Sequence, residues 1–396
     1  MAVLAGALVS WQVVAKQPAP SEWIKYENLA QVIGADGKEH SATCSGFPGT
    51  DPSFSFWARR GTSKNLVVFF EGGGACWDGL TCTFPIAAGL PSQVPQFFVP
   101  AIDPNASPAN YDGIFKSDNP ANPVKDWSFV YIPYCTGDIH VGSATQQYVS
   151  VGHPILPLSV GTSFTIQHRG FDNFMVVLDW IEQNFDAPKK ILVTGSSGGG
   201  YSASANFPWI QEAYPNAHVY VIADASQGVT TVAFDTNNPG RNSWNPQLAP
   251  WVYGNDPSLI PSPDLLRTAA EFYRYTKASQ FTTASDGVQI AFYGVMKRFY
   301  GPGGTCPNPA IDWNQQMLGT LDSYAAEVDN FRYYLASGTY HTIMRSPLFY
   351  TEASAGIPYA DWVGAMLQSM GGTGGAGGGQ WRDAACETCL DPVQCP

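Results

Sequence analysis

The chain is 396 residues long, 44% apolar and only 13% charged, with 40 Gly and 31 Pro. That composition supplies a sizeable core and many ordered loops and argues against disorder, so one large α/β unit or two smaller domains is expected. Against 32 Asp and Glu stand only 20 Lys and Arg, a formal charge of −12. This excludes a basic footprint for nucleic acid or an anionic membrane, and it disfavours a strongly anionic polymer as substrate.

Residues 2–14 are apolar but lack a basic segment before them and an A-x-A end, so a secretion-signal remnant and an ordinary first strand both fit. No apolar run is long enough for a transmembrane helix. Residues 15–60 are turn-rich and include a strand at 53–58, an opening hairpin at a sheet edge. The run Asn65-Leu66-Val67-Val68-Phe69-Phe70 is a strand buried on both faces, and it stops at Glu71-Gly72-Gly73-Gly74-Ala75-Cys76-Trp77. Glycines at the carboxyl end of a buried strand let backbone N–H groups face a crevice, as an oxyanion hole requires. A plain turn or a phosphate loop is the alternative, but neither G-K-[ST] nor G-x-G-x-x-G follows.

Residues 79–127 form mostly loop, with no convincing helix, and loops of this kind often shape a pocket. A strand at 129–134 ends at Cys135-Thr136-Gly137-Asp138. Phe171, Phe174, Leu178, Ile181 and Phe185 recur at helical spacing and give an amphipathic helix over 170–185. The strand beginning at Ile191 runs into Gly195-Ser196-Ser197-Gly198-Gly199. This is G-x-S-x-G between a strand and a helix, a turn so tight that neighbouring side chains must be nearly absent. Ser197 is therefore the candidate nucleophile. A buried strand follows at 218–224, then a helix over 263–275, a short strand at 280–284 and a last strand at 331–336. Alternating strands and helices argue for a largely parallel sheet with its site at the carboxyl edge. Three parts are expected: an N-terminal segment 1–40, a single catalytic domain 41–365, and a Gly-rich, Cys-containing tail 366–396.

Eight cysteines, at 44, 76, 82, 135, 306, 386, 389 and 395, fit disulfides formed in an oxidising compartment. Cys76 with Cys82 would close a small loop beside the glycines, and Cys386, Cys389 and Cys395 staple the tail; the full connectivity stays open. Cys386-x-x-Cys389 also has zinc-like spacing, but no second ligand pair accompanies it, so no metal is expected.

A serine needs a base and an orienting carboxylate, which α/β-hydrolases supply in the order Ser, acid, His. Only His218 and His341 follow Ser197. His218 opens the next strand, where a structural role is expected; His341 lies in a loop past the last strand and is the candidate base. Asp286 follows the penultimate strand and is the candidate acid, with Asp224 as runner-up or as a residue lining the site. Trp77 and Tyr340 are further substrate-binding candidates. The oxyanion donors are expected at the amides of Gly198 and of Gly73 or Gly74.

Taken together, residues 70–77, Ile132-Pro133-Tyr134-Cys135 with Asp138 and Gly142, residues 195–199, Ala223-Asp224-Ala225, Asp286-x-x-Gln289-Ile290 and His341 resemble the pectin acetylesterase family. The resemblance covers roughly residues 40–345, in order. It implies an α/β-hydrolase-like fold with long loop insertions, secretion, and ester hydrolysis without metal or cofactor, with Ser197, Asp286 and His341 as triad. The sequence departs from the family where Gly198 replaces the usual Ala and where His341 lacks the adjacent cysteine of plant members. The expected function is a monomeric, secreted or periplasmic serine esterase that removes short acyl groups, most of all acetyl, from a carbohydrate or polymer. A polyester depolymerase or lipase-like carboxylesterase uses the same triad, and a carbohydrate-binding protein without turnover is the alternative from another class.

Overall fold

The computed structural model describes residues 21–87, 89–368, 381–391 and 393–395. The apolar segment 2–14 and the Gly-rich stretch 371–379 lie outside the described residues. The architecture is a nine-stranded sheet between two layers of helices and loops. Its strands are β1 (Ile24–Tyr26), β2 (Phe56–Arg59), β3 (Leu66–Phe70), β4 (Ser128–Ile132), β5 (Lys190–Ser196), β6 (His218–Asp224), β7 (Lys277–Thr283), β8 (Phe331–Ala336) and β9 (Ala384–Ala385), in the spatial order β1-β2-β4-β3-β5-β6-β7-β8-β9. Only the β1–β2 and β2–β4 pairs are antiparallel. The other pairs, from β4–β3 to β8–β9, run parallel.

Strands β3, β4 and β7 are buried along their whole length and β5 and β6 at all but their first residue, and period-two alternation divides their side chains between two cores. Leu66, Val68 and Phe70 of β3 join one cluster with Ile191 and Val193 of β5. Val67 and Phe69 join the other with Leu192, Tyr220 and Ile222. The first face is covered by α1 (Gly170–Asn184), α2 (Gly198–Ala213) and α3 (Asp264–Phe272), the last two bringing Ala203, Phe207, Ile210, Leu265 and Leu266. After β7 come α4 (Gly287–Phe299) and α5 (Pro309–Glu327). The second face is closed by α6 (Tyr359–Gln368) and by loop residues such as Phe115 and Met344. Inside α2, Pro208 cannot donate to the Ser204 carbonyl; the Tyr253 hydroxyl donates to it instead, at 3.0 Å.

Several expectations need correcting. β8 is not the last strand, because the tail adds β9 alongside it, Tyr334 opposite Ala384. The short strand expected at 280–284 is seven residues, all buried. The two helices α4 and α5 were not anticipated, because their buried positions are interleaved with Gln, Asn and Gly and the apolar stripe is faint. The loop 79–127 holds a five-residue helix, Gly79–Thr83, started by a capping box between Asp78 and Thr81. A two-stranded hairpin, Ala144–Val149 with Ser163–His168, stands apart from the main sheet.

All eight cysteines are paired: Cys44 with Cys135, Cys76 with Cys82, Cys306 with Cys395 and Cys386 with Cys389. The zinc-like pair in the tail is thus a disulfide. Cys76, Cys82 and His168 lie close enough to suggest a metal cluster, but both sulfurs are bonded to each other and offer no thiolate. No helix among the described residues is long and apolar enough to cross a membrane.

Candidate active site

Parallel register aligns the carboxyl ends of β3, β5, β6 and β7. Phe70 faces Gly195, and Asp224 faces Ser196 on one side and Phe281 on the other. At that edge β5 turns sharply into α2 through Ser197, whose φ of 59° and ψ of −126° are strained for any side-chain-bearing residue. The turn closes because glycines surround it. A Cβ on Gly195 would sit 2.3 Å from the Gly199 oxygen, one on Gly199 would sit 2.0 Å from the Phe70 oxygen, and one on Gly72 would sit 2.1 Å from the Ser196 oxygen. At Gly200 it would meet the Ser226 hydroxyl, which donates to the Ser197 carbonyl at 2.6 Å. Gly198 is different: an added methyl would come no closer than 3.3 Å, to the Gly74 oxygen, so the alanine usual in the family fits with a slight shift.

The strand-end glycines after β3 are held by a bridge to Phe98, with the Ala75 amide donating to Phe97 and the Val99 amide to Gly73. This leaves the N–H groups of Gly73 and Gly74 off the ladder. Among the described residues neither they nor the Gly198 amide donates to a protein acceptor.

Asp286 is fully buried at the start of α4. It caps that helix, its Oδ1 accepting from the amides of Val288 and Gln289 at 3.0 Å, and its Oδ2 accepts from the Gln289 side chain at 3.0 Å. Both carboxylate oxygens face Nδ1 of His341, at 2.9 and 2.8 Å. Gln289 is itself fixed by paired bonds with Gln227. Among the described residues, the buried Nε2 of His341 has no hydrogen-bond partner, and neither has the Ser197 hydroxyl. His341 and Ser197 line one cavity of about 70 Å³, together with Gly74, Gly198, Ile139, Tyr201 and the apolar side chains of Trp77, Val229, Phe234, Trp244, Phe292 and Met296.

The other expected residues fall elsewhere. Asp224 is fully buried and does not line the cavity. Its carboxylate accepts from the Ser196 hydroxyl at 2.6 Å and from the amides of Ile343 and Met344 at 3.0 Å, so it joins the nucleophile turn to the loop that follows His341. Burial pushes its carboxyl above the ordinary range while these bonds pull it back. Tyr340 packs on Phe281 away from the cavity. Trp77 is buried and forms part of the cavity wall, edge-on to Phe234. His218 lies at the exposed, opposite end of β6.

Sequence reasoning gave no role to Gln289, Gln227, Ser196 or Arg345. Arg345 pairs with Glu71 at 2.7 Å and lies over the Tyr111 ring, a second tie between the histidine loop and the end of β3. A signal existed for Gln289: Asp286-x-x-Gln289 is a capping-box spacing. None existed for Arg345, whose partner is distant in the chain.

A mostly parallel sheet with an elbow serine at its carboxyl edge, glycine-rich turns around that serine and after β3, and a histidine beyond its eighth strand is the α/β-hydrolase fold. The family model for pectinacetylesterase matches residues 27–245, more than half of the chain. The chain belongs to the pectinacetylesterase family, and it is a carboxylic ester hydrolase. Among solved structures it is similar to the Wnt deacylase Notum from Drosophila, with a TM-score of 0.53 and 17% identity over 85% of this chain and 92% of that one, a likeness of fold. No curated protein matches.

Proposed function

We propose that the protein is a secreted, monomeric serine esterase that hydrolyses short-chain acyl esters, most of all acetyl, on a carbohydrate or similar hydroxylated polymer. Ser197 attacks the ester carbonyl. His341 Nε2 takes the serine proton and passes it to the leaving alkoxide, while Asp286 holds the ring with Nδ1–H toward itself and stabilises the imidazolium. The amides of Gly198 and of Gly73 or Gly74 receive the oxyanion. Water then attacks the acyl-enzyme by the same route in reverse, regenerating the serine. Ser197 and His341 line the same cavity, and His341 Nε2 carries no other hydrogen bond among the described residues, so it is free to take the serine proton.

The observation that carries this reading is the cavity they share. Ser197, His341, Gly74 and Gly198 line it together, which supports attack, proton transfer and oxyanion binding in one place, and membership of the pectinacetylesterase family favours acetyl as the group removed. Four disulfides support an oxidising, extracellular location. The apolar wall of Trp77, Phe234, Phe292 and Met296 favours a second reading, a carboxylesterase for aliphatic polyesters or lipids. Hydrolysis of p-nitrophenyl esters from acetate to octanoate, with acetate release from acetylated xylan and pectin, separates them. The account expects a steep fall beyond acetate together with acetate release; equal rates on octanoate without acetate release would move the assignment to polyesters or lipids.

A further inference from the structure

On the flank of the molecule, away from the serine, lies an open cleft of about 510 Å³, in the size range of ligand sites and far larger than the catalytic cavity. Its walls come from the first turn after β1, from the carboxyl-terminal part of α2, and from the loop and short helix Pro250–Tyr253. The lining is of mixed chemistry: the indoles of Trp209 and Trp251 beside Asp36, Lys38, Gln247 and Asn255. Trp251 is 38% exposed, and its ring meets Trp209 edge to face at 4.7 Å, while its Nε1 donates to the Tyr273 hydroxyl, so the platform is fixed in place. Trp209 Nε1, buried in the wall, donates to no acceptor among the described residues. Lys38 is already engaged by the Gln247 amide oxygen at 3.2 Å and by Asp36 at 3.7 Å, so the cleft presents a neutralised polar rim rather than an anion receptor.

A fixed, partly exposed indole beside carboxylate and amide groups matches one class of ligand. A pyranose ring has apolar C–H faces that lie on an aromatic plane and equatorial hydroxyls that reach for side-chain acceptors and donors. We propose that this cleft is an accessory binding site for a neutral oligosaccharide, which holds a polymer chain on the enzyme while the ester group is processed. Two structural links join it to the catalytic centre. Ser197 is the N-cap of the helix that carries Trp209, about 18 Å further along its axis at 1.5 Å per residue. Trp244 lines the catalytic cavity and Gln247, three residues on, lines the cleft. Only the connection with turnover rests on the esterase reading; saccharide binding stands independently of it.

The test titrates the Ser197→Ala protein with xylohexaose by calorimetry, alone and with Trp251→Ala added. Saturable binding weakened about tenfold or more by Trp251→Ala is expected, the usual cost of removing an aromatic anchor. In the active enzyme the same change should raise KM for acetylated xylan while kcat/KM for p-nitrophenyl acetate stays within about twofold, since uniform binding is lost and no transition-state contact is touched. Gln247→Ala on the rim gives the same reading if Trp251→Ala does not fold. No saturable heat, affinity indifferent to both changes, or binding of polygalacturonate in place of the neutral sugar would overturn the proposal. If p-nitrophenyl acetate is not hydrolysed at all, the esterase reading fails while the calorimetric result still decides the cleft.

Discussion

The half of the site that holds the proposed nucleophile and the half that holds the proposed base are built by opposite means. Around Ser197 the geometry comes from backbone against backbone: Gly72, Gly195 and Gly199 let three segments approach until a single methyl would collide. Around His341 it comes from side chains, the Asp286 carboxylate on the ring and, on the following residues, the Asp224 carboxylate and the Arg345–Glu71 pair. Backbone packing tolerates no added atom; side-chain anchoring tolerates loss of one tie if others remain. Each half should therefore fail differently.

Ser197→Ala marks the upper limit, because it removes the proposed nucleophile without touching either scaffold. It should lower kcat by about 10⁴-fold or more with little change in Tm. Within the glycine half, Gly199→Ala and Gly198→Ala make a matched pair. The first drives a methyl into the Phe70 carbonyl and should destabilise by about 3 kcal/mol and abolish activity; the second should cost less than about 1 kcal/mol and leave activity within about tenfold. Equal effects in thermal melts and turnover would refute the backbone account.

In the base half, Asp224→Asn turns an amide NH₂ toward donors that expect an acceptor. It should cost about 2 kcal/mol and lower kcat roughly a hundredfold with KM nearly constant. A changed KM at constant kcat would instead place Asp224 in substrate binding.

Acid sensitivity comes from elsewhere in the scaffold. Burial holds His140 and His168 at about 4 against an ordinary 6.5, so the folded protein binds fewer protons than the unfolded chain. Their contribution is complete above pH 6.5 and is lost as pH falls through about 4, on the order of 1–3 kcal/mol each. Asp138, raised by burial to about 6, acts in the opposite sense: its contribution is present below its ordinary 3.8 and lost as pH rises through about 6. His40, which burial lowers but its bonds to Asp172 and Asp36 raise on balance, acts in the same sense as Asp138; the two deeply lowered imidazoles outweigh both, so urea midpoints should be lower at pH 5 than at pH 7, and His168→Gln should shrink that difference. An undiminished difference would exclude His168 as a source. The smallest effect belongs to Arg345→Met: both partners of its ion pair are partly exposed, so stability should change by no more than about 1 kcal/mol.

The same contrast explains what the sequence made legible. Residues 195–199 and 71–77 announce themselves because a backbone-only constraint permits only glycine, and glycine runs at strand ends are visible in one dimension. The expectation for His341 and Asp286 rests on their order after the proposed nucleophile, and the structure brings the two into hydrogen-bond contact. The role of Asp224 was hidden, since a buried carboxylate at a strand end reads equally as acid, lining or anchor, and its partners are main-chain amides 119 and 120 residues away. Strand β9 was hidden too: Ala384 and Ala385 carry no strand pattern, and β8 supplies their pairing.

The central claim is that Ser197 is the nucleophile of an acyl-enzyme. Its most direct test is fluorophosphonate labelling followed by peptide mass mapping of wild type, Ser197→Ala and His341→Ala. The account predicts one adduct, on the peptide containing Ser197, strongly reduced in His341→Ala and absent in Ser197→Ala; equal labelling of wild type and Ser197→Ala would contradict it.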